Sequence, residues 1–141
     1  MQPENKKTIT IEAIVMAATE KVWSYWTDPK HIVNWNFASD DWHAPYAEND
    51  VRPDGRFKLT MAAKDGSMSF DFEGTFTSVQ LHQSLAYVLA DGRKVEVVFK
   101  PDGERTRVVE TFDAENTNPV ELQRAGWQAI LHNFKKYVEA H

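Results

Sequence analysis

Residues 118–140 read NPVELQRAGWQAILHNFKKYVEA, and this stretch decides the fold. Val120, Arg124, Trp127, Leu131, Phe134 and Val138 recur at spacings of three and four, with Ile130 and Tyr137 widening the stripe. That period predicts one long helix with a single apolar face. Asn118 reads as its cap and Pro119 as its first residue. Glu121, three residues beyond the cap, reads as the second half of a capping box.

Upstream of the helix the period changes to two, the signature of half-buried strands. Thr106, Val108, Glu110 and Phe112 share one face, as do Val95, Val97 and Phe99, and before them Leu85, Tyr87 and Leu89. Met68, Phe70, Phe72, Gly74 and Phe76 form a longer face, and Phe57, Leu59, Met61 and Ala63 another. Asp54-Gly55, Asp65-Gly66, Asp91-Gly92 and Pro101-Asp102-Gly103 punctuate these runs as turns, so consecutive hairpins are expected. At the N-terminal side, Ile9, Ile11, Ala13 and Val15 make one more strand. Thr19 reads as a cap for a short helix carrying Val22, Trp23, Tyr25 and Trp26; Asp28-Pro29 ends it, and a second short helix is expected over Lys30 to Trp35. Ser39 to Pro53 reads as loop, within which His43 to Ala47 could pair as a short strand. The expected fold is α+β: a curved antiparallel sheet of about six or seven strands gripping the long C-terminal helix, with two short helices after the first strand.

The chain of 141 residues is the size of one domain, and residues 1–141 are expected to form one, with residues 1–6 disordered. A net charge of −5 argues against a nucleic-acid surface. There is no cysteine, so disulfide and thiolate chemistry are excluded. Met1 to Lys7 is polar, unlike a secretory signal, and no apolar run is long enough to span a bilayer. The expectation is a cytoplasmic protein without membrane insertion, a monomer or weak dimer.

A curved sheet of this width is broader than one helix, so space is expected between them. Its expected lining is Trp35, Trp42, Phe57, Met61, Phe70, Phe72, Tyr87, Val97, Phe99, Glu110, Trp127, Ile130, Leu131 and Phe134. Glu110 stands out as a carboxylate on a face that otherwise reads as buried. Left unpaired there, its pKa would rise, and it could anchor a polar ligand atom or move a proton. The plainer alternative is that it pairs with Arg107 or Arg124. His43 is the second acid–base candidate; with Trp42 and Tyr46 it belongs to a segment expected to border the cavity mouth or to pack as an ordinary lid. Asp40, Asp41 and His43 lack a metal-binding spacing, and no metal or cofactor is expected. Arg52 reads as tied to Asp50 within a turn, and His82 and His132 as surface residues.

Val22-Trp23 with Asp28-Pro29 and Trp35, Asp50-Val51-Arg52-Pro53-Asp54-Gly55, Phe72-Glu73-Gly74, and Gly126-Trp127 with Leu131 stand in an order and spacing that resembles the START-like, or SRPBCC, helix-grip superfamily. Within it the chain is similar to the branch related to the activator of heat-shock protein 90 ATPase, whose bacterial members are labelled polyketide cyclases. Asp54 departs from the glycine pair common there. The resemblance implies the helix-grip fold and leaves three functions open. The first is binding of a small hydrophobic or aromatic molecule in the cavity. The second is a cyclase- or dehydratase-like enzyme using cavity acid–base groups. The third is an interaction module with a chaperone as partner.

Overall fold

The computed structural model describes residues 7–141; the N-terminal residues 1–6, read above as disordered, lie outside the described residues. Strand β1 (Thr8–Val15) precedes helices α1 (Thr19–Thr27) and α2 (Pro29–Ile32). Six strands follow: β2 (Trp42–Asn49), β3 (Arg56–Ala63), β4 (Ser69–Gln80), β5 (Ser84–Leu89), β6 (Lys94–Asp102) and β7 (Arg105–Asp113). Helix α3 (Val120–Ala140) ends the chain. The seven strands form one antiparallel sheet in the order β1-β7-β6-β5-β4-β3-β2, curled into a half-barrel around α3. This is the α+β helix-grip arrangement. The hairpin succession makes β2 to β7 a meander, and β1 closes beside β7.

Helix α3 is held from both sides of its stripe. Leu131, Phe134 and Val138 are fully buried against a core that includes Ile9, Ile11, Val15, Val97, Phe99, Val108 and Phe112. The flanking polar residues reach the free edge of β1, whose outward carbonyls have no strand partner. Arg124 Nη1 donates to Thr10 O at 3.1 Å, Gln128 Nε2 to Glu12 O at 3.3 Å, and Lys135 Nζ to Ile14 O at 2.8 Å. Acceptors two residues apart on the strand meet donors on one side of the helix. Lys135 also pairs with Glu139, which accepts the Met16 backbone N–H and so fixes the end of β1.

Several local expectations are corrected. The long helix begins at Val120, with Pro119 at the cap position and no side-chain cap. The capping box of Asn118 and Glu121 does not form because Asn118 donates its Nδ2 to Glu115 instead. Glu115 also accepts the backbone N–H groups of Thr117 and Asn118, and Gln123 bonds both the N–H and the C=O of Glu115. Thr19 caps nothing: the cap position falls to Ala18, and the Thr19 hydroxyl meets that of Thr106 at 3.2 Å. The second helix is shorter and earlier than Lys30 to Trp35; it spans Pro29–Ile32, with the Asp28 side chain accepting from Lys30 N. The loop-like segment carries a full strand, β2, which joins the sheet's other edge with a register irregularity between His43 and Tyr46, where Pro45 sits. Met68 lies in the turn before β4, not on the strand, and is exposed. His82, expected at the surface, has φ of 62° and packs edge-on against Trp23. Arg52 does bond Asp50 within its turn.

The turn 50–55 explains the departure at Asp54. Asp54 takes the left-handed conformation, φ 69°, which a glycine would adopt more readily. Gly55 has a different reason: a Cβ there would lie 2.1 Å from the Asp50 carbonyl oxygen and 2.9 Å from that of Arg52, both backbone atoms. The two neighbours are therefore expected to respond oppositely. Asp54→Gly should be neutral or stabilising by up to ~1 kcal/mol. Gly55→Ala should cost about 2–4 kcal/mol and lower the Tm by roughly 10 °C, read from thermal melts followed by circular dichroism. An unchanged melt for Gly55→Ala would refute this account of the turn.

Candidate functional site

Between the concave face of the sheet and α3 lies a cavity of about 290 Å³. Its wall is built in layers. Trp26, Ile32 and Trp35 come from the helical segment after β1; Phe57, Leu59 and Met61 from β3; Phe70, Phe72 and Phe76 from β4; Leu85 and Tyr87 from β5; Trp127 and Ile130 from α3. Phe70 and Glu48, both solvent-exposed, mark where it opens. The rings hold one another in place. Trp127 stacks on Phe112 at 3.8 Å between centroids and meets the edge of Phe72 at 6.0 Å. Phe57 meets Tyr87 edge to face at 4.8 Å. Trp35 is fixed by its indole N–H, which donates to Tyr25 O at 3.0 Å. Gly74, directly opposite Phe57 in the β3–β4 pair, leaves room for that ring: a Cβ there would sit 2.7 Å from it.

Among the described residues, two buried polar groups on this wall stand out. Glu110 lies on the buried face of β7 between Val108 and Phe112, flanked in register by Ile11 and Val97. It is 6% exposed and makes no hydrogen bond or ion pair among the described residues. Arg107 pairs with Glu12 and Arg124 with Glu121, so neither neutralises it. Burial pushes its pKa up to about 8. The Tyr87 phenol, also on the wall, is held well above its ordinary range by burial and by the Glu110 charge. The second is Asn49, at the end of β2. Its Nδ2 donates to Thr27 O at 2.8 Å, while its Oδ1 is buried and meets no donor among the described residues. Elsewhere on the wall, Arg93 is paired with Asp91, and the Glu115 carboxylate is engaged by backbone N–H groups.

Of the residues singled out in the sequence, Trp35, Phe57, Met61, Phe70, Phe72, Tyr87, Glu110, Trp127 and Ile130 come together on this wall. Val97, Phe99, Leu131 and Phe134 do not line it: they are buried in the packed core, where Phe99 meets the rings of Trp23 and Trp26 and Phe134 those of Trp26 and Trp35. Trp42 lies outside it against Phe70, and His43 and Tyr46 point to solvent from edge strand β2, Tyr46 bonding Glu48. His43 is therefore no partner for Glu110. Sequence reasoning missed Trp26, whose ring reads only as helix packing, and Asn49, hidden in an apparent loop. The alternation of Tyr46 and Glu48 with Ala47 and Asn49 was the available signal for the latter.

The family model for Activator of Hsp90 ATPase homolog 1-like protein matches residues 16–139. No curated protein matches the sequence. The solution structure of an AHSA1-like protein from Aeromonas hydrophila is 50% identical, covers 95% of this chain and 93% of its own, and superposes with a TM-score of 0.90. A solution structure from Cytophaga hutchinsonii is 54% identical over 94% of this chain and 92% of its own, with a TM-score of 0.82. A crystal structure from Nitrosomonas europaea, at 16% identity, 99% and 97% coverage and a TM-score of 0.82, shares the fold alone. Because the family model spans nearly the whole helix-grip unit described above, the chain belongs to the family of activator of Hsp90 ATPase homolog 1-like proteins.

Proposed function

We propose that this domain binds a small, largely apolar molecule in the cavity between sheet and α3. The observation that carries the reading is the cavity itself: about 290 Å³ ringed by the side chains of Trp26, Trp35, Phe57, Phe72, Tyr87 and Trp127. That size is near the lower end of ligand pockets, and rings with few polar groups suit a flat apolar body. A cyclase-like reaction would have to work through the two buried titratable groups on the wall, Glu110, raised to about 8, and Tyr87, held above its ordinary range. His43, the other acid–base candidate, points to solvent from β2. Binding makes no such demand and needs only the space and its rings.

A gently purified sample, denatured and analysed by mass spectrometry, is expected to release a co-purified small molecule. Filling the space gives the complementary test. Ile130→Trp should leave the apo Tm unchanged or higher, and should abolish the thermal stabilisation conferred by an apolar probe such as 2-acetylnaphthalene. Leu131→Trp, made where side chains already fill the interior, should instead destabilise by about 1–3 kcal/mol. Equal probe binding by wild type and Ile130→Trp would sink the reading.

Glu110 also makes stability depend on pH. The folded state holds this proton more tightly than the unfolded chain, whose carboxyl titrates near its ordinary value of 4.5. The penalty is absent below the unfolded pKa, grows between 4.5 and about 8, and is constant above. Glu110→Gln is expected to match wild type near about pH 4 and to exceed it by on the order of 4 kcal/mol near about pH 9. Urea melts across that range check it, and a difference that stays flat with pH would show that Glu110 is not desolvated.

A further inference from the structure

The geometry points to an uncharged ligand whose hydrogen-bond acceptor meets the Glu110 carboxyl. The inference rests on the cavity being the ligand site and adds the chemistry of what enters it.

Glu110 is buried, on the wall, and without a bond to any described residue. At neutral pH its carboxyl carries a proton for most of the time, so it offers an O–H donor and its carbonyl oxygen. A carbonyl or ether oxygen of the ligand satisfies that donor. Asn49 offers no second contact: its amide nitrogen is committed to the Thr27 carbonyl at 2.8 Å, and its Oδ1 is buried out of reach of the space.

Charged ligands fit less well. What faces Glu110 from the adjacent elements is apolar: Ile11 from β1 and Val97 from β6, with Trp127 and Ile130 of α3 and the neutral Tyr87 phenol of β5 on the same wall. The other charged wall residues, Glu48, Lys58, Arg93 and Glu115, leave its proton affinity set by burial alone. Among the described residues an anion would meet no free cation beside Glu110, and a cation would have to ionise a carboxyl that burial keeps neutral.

A series of naphthalenes measured by fluorescence displacement and thermal shift tests this bond. At neutral pH, 2-acetylnaphthalene, which offers only an acceptor, should bind roughly three- to tenfold tighter than naphthalene. Its affinity should fall as pH is raised through about 8 in wild type and stay flat in Glu110→Gln, which keeps a donor that does not titrate. The comparison of probes on wild type keeps the test valid even if a variant melts early. Tightest binding by 2-naphthylmethylammonium, strengthening with pH, would overturn the assignment. Equal binding of naphthalene and 2-acetylnaphthalene would remove this inference alone. Failure of every probe to bind would remove the cavity reading and this inference with it.

Discussion

The polar stripe of α3 seats the helix at one edge of the sheet, and the interior follows from that off-centre position. Arg124, Gln128 and Lys135 satisfy three carbonyls of β1 that have no other strand to pair with. An edge strand with open carbonyls is a site for unwanted pairing, so the bonds also close one flank of the sheet. A helix is roughly 10 Å across, while seven strands spaced about 4.8 Å apart span far more. A helix anchored over β1 and its neighbours leaves the concave face beyond them uncovered. The cavity wall reflects this: it takes residues from β2, β3, β4 and β5, one from β7, and none from β1 or β6.

A void so placed would collapse if its far wall were loose. Here the far wall is tied to the helical segment that caps it. Asn49 bonds the last residue of α1, Trp35 bonds the Tyr25 carbonyl, and Trp26 packs against both Trp35 and Phe134. Phe134 belongs to α3, so the lid, the far strands and the anchored helix form one closed chain of contacts. Shrinking the space would mean breaking several of them together.

The fold was legible because its signals are redundant. Period-two runs, Asp-Gly turns and one long amphipathic stripe each point to the same sheet and helix, and an error in any one leaves the others standing. The caps were not legible. Asn118 and Glu121 satisfy the spacing of a capping box, but Glu115 outcompetes it by collecting the Thr117 and Asn118 N–H groups and the Asn118 amide. The cavity was legible only as a face. Alternation shows which way a side chain points, not whether another side chain stands opposite it. Val97 and Phe99 face inward like Phe72 and Tyr87, yet the first pair is enclosed within the packed core and the second borders the cavity. That distinction depends on where α3 sits across the sheet, which is set by hydrogen bonds from Gln128 and Lys135 that carry no hydrophobic pattern.

Glu110 occupies the boundary between the two halves. It is the β7 residue on the cavity wall, with Val108 and Phe112 packed on either side of it along the strand. Its isolation does not come from a shortage of cations. Arg105 and Arg107 are close in sequence, but the period of the strand turns them to the outer face, where they pair with Asp102 and Glu12. Arg124 is drawn away to the β1 edge and to Glu121. The bond that helps seat the helix thus also commits Arg124 elsewhere. An aliphatic residue at position 110 would remove the desolvation penalty and continue the packing of its neighbours. A carboxyl there weakens the fold at alkaline pH, and a local break in an otherwise consistent pattern is where function is most often found.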